Sequence, residues 1–175
     1  MDIGVNSMSE KQGHRPPAGF VFTKGSIEGV ELRKLRKRVD ERGWLAELWR
    51  TDDAGRTTPM MCYASITRPG VSRGPHEHVE QTDWFCFLGP SNFLVCLWDN
   101  RPRSPSYGRA MRFVVGEDDP TVVIVPEGVV HGYKNVGTCD GLVTNLPNRL
   151  YMGEGKKQPI DEIRHEDEAD SAFRM

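Results

Sequence analysis

Short apolar stretches, separated by turn residues roughly every ten positions, constrain the fold of this chain most. Runs of strand-forming residues predict β-strands at 60–67, 93–98, 109–115, 121–125 and 141–146. Proline, glycine and aspartate interrupt the chain between these runs, as expected of turns. Many short strands with regular turn signals are typical of a two-layer sandwich or jelly roll.

The same pattern predicts two shorter strands within 20–32 and another at 44–49. Helix is scarce, and we expect a helical turn or two only at 160–168. The predicted fold class is therefore all-β, with short extra strands and little helix.

Composition favours one ordinary domain over a nucleic-acid or membrane protein. A chain of 175 residues can bury a real core, and we expect a disordered tail at 1–19 and a single domain at 20–175. The net charge of −2 gives no nucleic-acid footprint, and no polybasic run or long apolar segment suggests a membrane. The four cysteines have no paired spacing, which predicts buried reduced thiols and a cytoplasmic protein.

Two histidine-containing stretches predict one pocket inside the barrel. His76 and His78 follow Arg73, and residues two apart on an extended segment share one face. Downstream, the proline and glycine of 126–135 form a turn that directs His131 to the same interior.

The second stretch has the form P-x-G-x-x-H-x-x-x-N and resembles a motif of the cupin superfamily. Read from end to end, the chain resembles the dTDP-4-dehydrorhamnose 3,5-epimerase family, a group of cupin-fold nucleotide-sugar epimerases. The pieces that carry this resemblance fall in the family's order: 27–30, 40–43 with Glu47, Ser65, 73–76, 99–101, 104–108, 125–133, Tyr151 and 163–167.

The resemblance implies a cupin jelly-roll barrel that epimerises carbon 3, carbon 5 or both in a nucleotide-diphosphate 4-keto-6-deoxy sugar. The substrate would be of the dTDP-4-dehydro-6-deoxyglucose class, and the pathway would be dTDP-rhamnose or other polysaccharide biosynthesis. It implies no cofactor, and a homodimer whose subunits exchange an N-terminal strand, here from 20–32.

Such a reaction removes a proton beside a ketone and returns one on the opposite face, which calls for a base with a pKa near neutrality. The resemblance assigns this base to His76 and its carboxylate partner to Asp167, with Glu166 or Asp170 left open. In the family a tyrosine acts as the acid on the opposite face, and the resemblance places Thr144 at its position. Tyr151 matches a second tyrosine of the family and is a candidate catalytic residue.

The resemblance also implies residues that bind the substrate. Arg42 and Arg73 would hold the diphosphate by charge-assisted hydrogen bonds. Glu47 and His131 would line the sugar pocket, together with His78, which replaces a glutamine of the family.

Two other interpretations stay open. His76, His78, Asp83 and His131 also form a set suited to iron, manganese, nickel or zinc, which would favour a cupin isomerase or dioxygenase. The missing tyrosine leaves room for a catalytically silent nucleotide-sugar binder. His165 lies beside an acidic run and is predicted to be exposed, without a role.

Overall fold

A computed structural model describes residues 13–52 and 57–175, and the regular structure of this part is almost entirely β. A 3-10 turn at Glu154–Lys156 is the helical element of the described residues. The described strands are β1 (Thr23–Lys24), β2 (Glu31–Lys34), β3 (Arg38–Asp40), β4 (Gly43–Leu45), β5 (Tyr63–Thr67), β6 (Ser72–Glu77), β7 (Asp83–Phe87), β8 (Asn92–Asp99), β9 (Arg109–Gly116), β10 (Thr121–Val125), β11 (Val129–Asn135), β12 (Gly141–Asn145) and β13 (Ile163–Arg164).

Two sheets form the barrel. The six-stranded sheet has the order β1-β9-β8-β11-β6-β13, and the five-stranded sheet has the order β2-β10-β7-β12-β5. From β5 to β8 and from β9 to β12, consecutive strands pass from one sheet to the other, with β8 and β9 joined as neighbours. This alternation is the double-stranded β-helix of a jelly roll, so the predicted fold is confirmed.

The core explains why several strands are apolar on both faces. Between the sheets lie the aromatic and branched side chains of a central cluster that includes Phe85, Phe87 and Val123. The outer face of the five-stranded sheet buries Trp84 and Ile124 as well, because the segment around residues 46–49 covers it. Strands β7 and β10 are therefore buried along their whole length, as expected for central strands between two layers.

Part of the N-terminal prediction lies outside the described residues, which begin at Gly13. Within the predicted tail, the His14 ring nitrogen Nε2 lies 3.0 Å from the Tyr107 hydroxyl, and Asn100 donates to the His14 carbonyl at 2.7 Å. Strands β1 and β2 pair with β9 and β10 of the same chain. Disorder at 1–12 and exchange of the 20–32 segment stay predictions.

The C-terminal segment differs from its prediction. Instead of helical turns at 160–168, Ile163 and Arg164 form β13 and pair with Glu77 and His76 of β6. His165 follows and is 4% exposed, with Nε2 3.1 Å from a Glu77 carboxylate oxygen. The prediction of an exposed His165 was wrong, because an unpaired edge of β6 and a buried carboxylate were available far away in sequence.

Three smaller expectations were also tested. The strand predicted at 44–49 is limited to Gly43–Leu45, paired with Arg38–Asp40 in a separate exposed hairpin. The cysteines are free, but Cys62 and Cys139 are exposed rather than buried. Within the described residues, no helix is long and apolar enough to span a membrane.

Candidate active site

Strands β6 and β11 bring four side chains to one side of their sheet. His131 lies opposite His76, and Tyr133 lies opposite Arg73. Paired residues of antiparallel strands share a face, so the odd spacing of Arg73 and His76 requires a bulge between them. Gly74 forms it at a φ of 75°, and a Cβ there would lie 2.6 Å from the His131 carbonyl oxygen. Only glycine fits this approach.

Three imidazoles and one carboxylate meet inside the barrel. His76, His78 and His131 have ring nitrogens within 4.8 Å of one another. Asp83, at the start of β7 in the opposite sheet, places Oδ2 3.1 Å from His78 Nε2 and 3.3 Å from His131 Nε2. His76 has 17% of its side chain exposed, against 9% for His78 and 4% for His131. His76 is thus the ring of this group that solvent or a ligand reaches most readily.

His78 lies between two acceptors, which favours the imidazolium form. Its Nδ1 donates to the Asp161 carbonyl oxygen, and its Nε2 faces Asp83. Burial lowers the pKa of His78, but the hydrogen bond and charge of Asp83, with the Asp161 carbonyl, outweigh this and raise it to about 9. His78 and Asp83 therefore form a buried ion pair at neutral pH.

Asp83 stays ionised in spite of complete burial. Burial favours its neutral form, but the adjacent His131 and His78 rings hold its pKa well below the ordinary value. Gln81 and Asn145 each donate a side-chain N–H to its Oδ1, at 2.9 and 2.7 Å. Its Oδ2 and His131 Nε2 are buried without a well-aligned hydrogen-bond partner among the described residues.

The environment of His76 keeps its ring neutral. Burial, followed by the neighbouring His131 and His78 rings, lowers its pKa well below the ordinary value. One carboxylate oxygen of Glu166 lies 4.0 Å from His76 Nδ1, because the pairing of β13 with β6 carries the C-terminal segment past this ring. A neutral imidazole beside a carboxylate can accept a proton and be stabilised in its charged form.

Arg73 lies on the same strand as His76, opposite Tyr133 of β11. Its Nε donates to Thr67 Oγ1 at 2.9 Å, and Nη2 donates to the Ile66 carbonyl at 2.8 Å. The residue itself is exposed. Its guanidinium is therefore anchored on one side and available to solvent on the other.

Several predicted site residues have other contacts. Arg42 pairs with Asp40 on the exposed hairpin, and its side chain is 82% exposed. Glu47 contacts Arg50 at 3.2 Å. Tyr151 is 48% exposed, and the contact found for it runs from its backbone N–H to a methionine sulfur.

The predicted partner Asp167 is exposed, and Glu166 is the tail carboxylate that reaches His76.

Thr144 does not point into the site. Neighbouring residues of a strand alternate between faces, and here Val143 joins the central cluster while Asn145 contacts Asp83. Thr144 lies between them and pairs with Cys86 of the outer cluster. The inward-facing positions of β12 are Val143 and Asn145.

Sequence reasoning missed two residues that organise the site. Asn145 could have been found, because it lies two residues after the apolar Val143 and so shares its inward face on a strand. Asp161 accepts hydrogen bonds from the backbone of Val79 and Glu80, at 3.2 and 2.9 Å, as well as from His78. No local sequence pattern predicts this role of Asp161, since it depends on the path of the C-terminal segment.

Comparison with known proteins gives consistent relatives. A family model described as dTDP-4-dehydrorhamnose 3,5-epimerase matches residues 24–154. The chain is 40% identical over 129 residues to the probable low-salt glycan biosynthesis epimerase Agl13 of Haloferax volcanii, covering 72% of this chain and 81% of that one. It is 38% identical over 112 residues to the spore coat polysaccharide biosynthesis protein SpsL of Bacillus subtilis, covering 63% and 73%.

A solved structure agrees with the fold. The dTDP sugar isomerase from Desulfovibrio desulfuricans superimposes with a TM-score of 0.74 at 24% identity, covering 85% of this chain and 91% of that one. The family match spans the barrel and the histidine cluster within it. The chain therefore belongs to the dTDP-4-dehydrorhamnose 3,5-epimerase family, and is a cupin-fold sugar epimerase of glycan biosynthesis.

Proposed function

We propose that this protein epimerises a nucleotide-diphosphate 4-keto-6-deoxy sugar at carbon 3, carbon 5 or both, and that His76 is the base. The observation that carries the proposal is the position of His76, a partly exposed neutral imidazole within a buried polar cluster. A carbon-bound proton beside a ketone is acidic enough for such a base, since its removal gives an enolate.

In this proposal Glu166 orients the His76 ring and stabilises the imidazolium that forms. Its Oε1 is the carboxylate oxygen at 4.0 Å from Nδ1, so Nε2 is left to receive the proton. Glu166 takes the role first predicted for Asp167, whose side chain belongs to the exposed acidic run. His78 and His131 line the sugar pocket.

Charge as well as family supports this substrate class. Arg73, on the strand of His76, offers a guanidinium that is held on one side and exposed on the other, and such a group suits a diphosphate. Arg42 and Glu47 lie on or beside a hairpin with three exposed apolar residues, Val39, Trp44 and Leu45. We propose that a homodimer covers this hairpin and brings Arg42 to the partner's nucleotide. A cytoplasmic location stays part of the proposal.

The test uses dTDP-4-keto-6-deoxyglucose in heavy water, with deuterium at carbons 3 and 5 followed by NMR. We expect incorporation with inversion at one or both carbons, and His76→Asn should abolish both, because asparagine cannot take the proton. Binding without exchange, for thymidine, guanosine and cytidine diphosphate sugars alike, would contradict the proposal and favour a silent binder.

A second candidate is a metal-dependent cupin isomerase or dioxygenase. The specific observation is that the imidazole nitrogens of His78 and His131 converge on one oxygen of Asp83, with His76 adjacent. The His78 and His131 Nδ1 atoms face backbone carbonyls, as in many metal sites. These four residues fit a first-row divalent metal, which would supply Lewis-acid or redox chemistry.

The two candidates compete for His76, because a coordinated imidazole cannot accept a proton. Elemental analysis of protein purified without added metal or affinity tag separates them. We expect far less than one metal per chain. One equivalent of iron, manganese, nickel or zinc, lost in His78→Ala and His131→Ala, would favour the second candidate.

A further inference from the structure

The wall of the barrel opposite His76 carries a phenol that no role has yet been given. Tyr63 begins β5, at the edge of the five-stranded sheet, whereas His76 belongs to β6 of the six-stranded sheet. A turn bordered by Thr67 and Ser72 joins β5 to β6. Tyr63 and His76 lie at comparable distances from it, with one residue on the β6 side taken up by the bulge at Gly74. Tyr63 and His76 therefore stand at similar heights on facing walls.

The hydroxyl of Tyr63 is tied to the histidine cluster through Asn145. The Asn145 side chain donates to the Tyr63 oxygen at 2.9 Å and to Asp83 Oδ1 at 2.7 Å. Its own oxygen accepts the Trp84 backbone N–H at 3.0 Å, which fixes the orientation of the amide. Tyr63 is thus one residue removed from the carboxylate that contacts His78 and His131.

The Tyr63 hydrogen is left available by this arrangement. Asn145 is the donor in its bond to Tyr63, so the phenol uses a lone pair there and keeps its own proton. Among the described residues, no acceptor for that proton is found. The residue is 44% exposed, so part of its side chain is open to solvent and to a ligand.

The phenol is also in the right protonation state to donate. Burial, with a smaller contribution from Asp83, raises the pKa of Tyr63 to about 12, although the Asn145 hydrogen bond opposes the change. Tyr133, by contrast, lies on the His76 side of the barrel and is 6% exposed in the core. Its hydroxyl contacts Ser65 at 3.3 Å.

We propose that Tyr63 is the general acid that protonates the substrate on the face opposite His76, an inference that rests on the proposed function. The position lies on β5, next to the inward-facing Asn145 of β12, rather than on β12 itself. The sequence has Thr144 where the resemblance places a tyrosine, and Tyr63 would supply the phenol from the neighbouring strand instead.

The step balances without a further reagent. The C–H bond beside the ketone breaks, its proton passes to His76, and the electron pair forms the enolate. The Tyr63 O–H bond then breaks as a new C–H bond forms on the other face, which inverts the carbon. His76 returns its proton to water, and the phenolate takes one up.

The test compares two rates in heavy water for wild type and Tyr63→Phe, on dTDP-4-keto-6-deoxyglucose. Loss of the acid should lower net inversion by about 100-fold or more. Deuterium exchange with retention should persist, because His76 still removes and returns the proton on its own face. Tyr107→Phe is a matched control, since its hydroxyl contacts His14 away from the site. It should invert the sugar at the wild-type rate.

Other outcomes overturn the inference in distinguishable ways. Wild-type inversion by Tyr63→Phe, or loss of inversion in Tyr151→Phe alone, would assign the acid elsewhere. Absence of all exchange in wild type would remove the proposed function together with this inference. If Tyr63→Phe loses its β-rich circular dichroism, difluorotyrosine at position 63 replaces it. A more acidic phenol should move the high-pH limb of inversion to lower pH, whereas an unmoved limb would contradict the role.

Discussion

Raising the pH from about 6 to about 9.5 should remove a stabilising contribution of one residue, His78. Its two ring nitrogens face the Asp161 carbonyl and the Asp83 carboxylate, and its pKa is raised to about 9 from an ordinary value of 6.5. Below pH 6.5 the ring is charged in both the folded and the unfolded chain, so the stabilisation is complete. Above that pH the unfolded chain loses its proton first, and the stabilisation disappears as the pH passes about 9.

The magnitude follows from the same values. A difference between 6.5 and about 9 corresponds to about 3 kcal/mol of unfolding free energy, at about 1.4 kcal/mol for each tenfold change in proton affinity. The side chain is 9% exposed, so water screens the pair little. This is a large share of the roughly 5–15 kcal/mol that stabilises a typical domain.

Urea unfolding of chelator-treated protein across this pH range measures the effect. We expect wild type to lose about 3 kcal/mol and His78→Gln to lose much less, because glutamine does not titrate. Burial also raises the pKa of Cys86, to about 12, and that of Cys96, and it lowers the pKa of His76. These effects are present in both proteins and are removed by comparing them. Parallel pH profiles for the two proteins, or a His78 ring that NMR shows neutral at pH 7.5, would refute the reasoning.

Three further predictions concern the core, the base and the assembly. Phe87→Ala should lower the unfolding free energy by about 3–5 kcal/mol in urea titrations, since Phe87 is fully buried, and a loss below about 1 kcal/mol would contradict close packing there. Glu166→Gln should slow deuterium exchange by about tenfold or more, and Asp167→Asn should not. A slower exchange in Asp167→Asn alone would instead make Asp167 the carboxylate partner of His76. Light scattering at micromolar concentration should give a dimer that Leu45→Asp weakens, and a wild-type monomer would count against the proposed interface.

Much of the barrel could be predicted because its signals are local. Strands such as β8 and β10 are continuous apolar runs bounded by turn residues, and both lie in the interior of their sheets. The spacing of His76 and His78 predicted rings on one face, and the two rings do lie together, since an extended chain fixes that geometry over two residues. His131 joined them because its turn is also encoded locally.

The remaining errors have a common physical cause, which is pairing between distant segments. Within 160–168, Ile163 and Arg164 form a strand because β6 offers them a free edge, which no local propensity reveals. Whether Glu166 or Asp167 reaches His76 depends on the pairing register of β13 with β6, and a shift of one residue would exchange them. The same difference moved Thr144 to the outer face, because one step along a strand reverses the side chain.

The pairing of β13 with β6 makes the surroundings of His76 depend on the C-terminal segment. The family match ends at residue 154, before the short strand that brings Glu166 to His76. His76 is therefore held by the matched barrel, whereas its carboxylate neighbour is held by two backbone-paired residues beyond it. A change that displaces this segment would remove the carboxylate from His76 and leave the barrel itself intact.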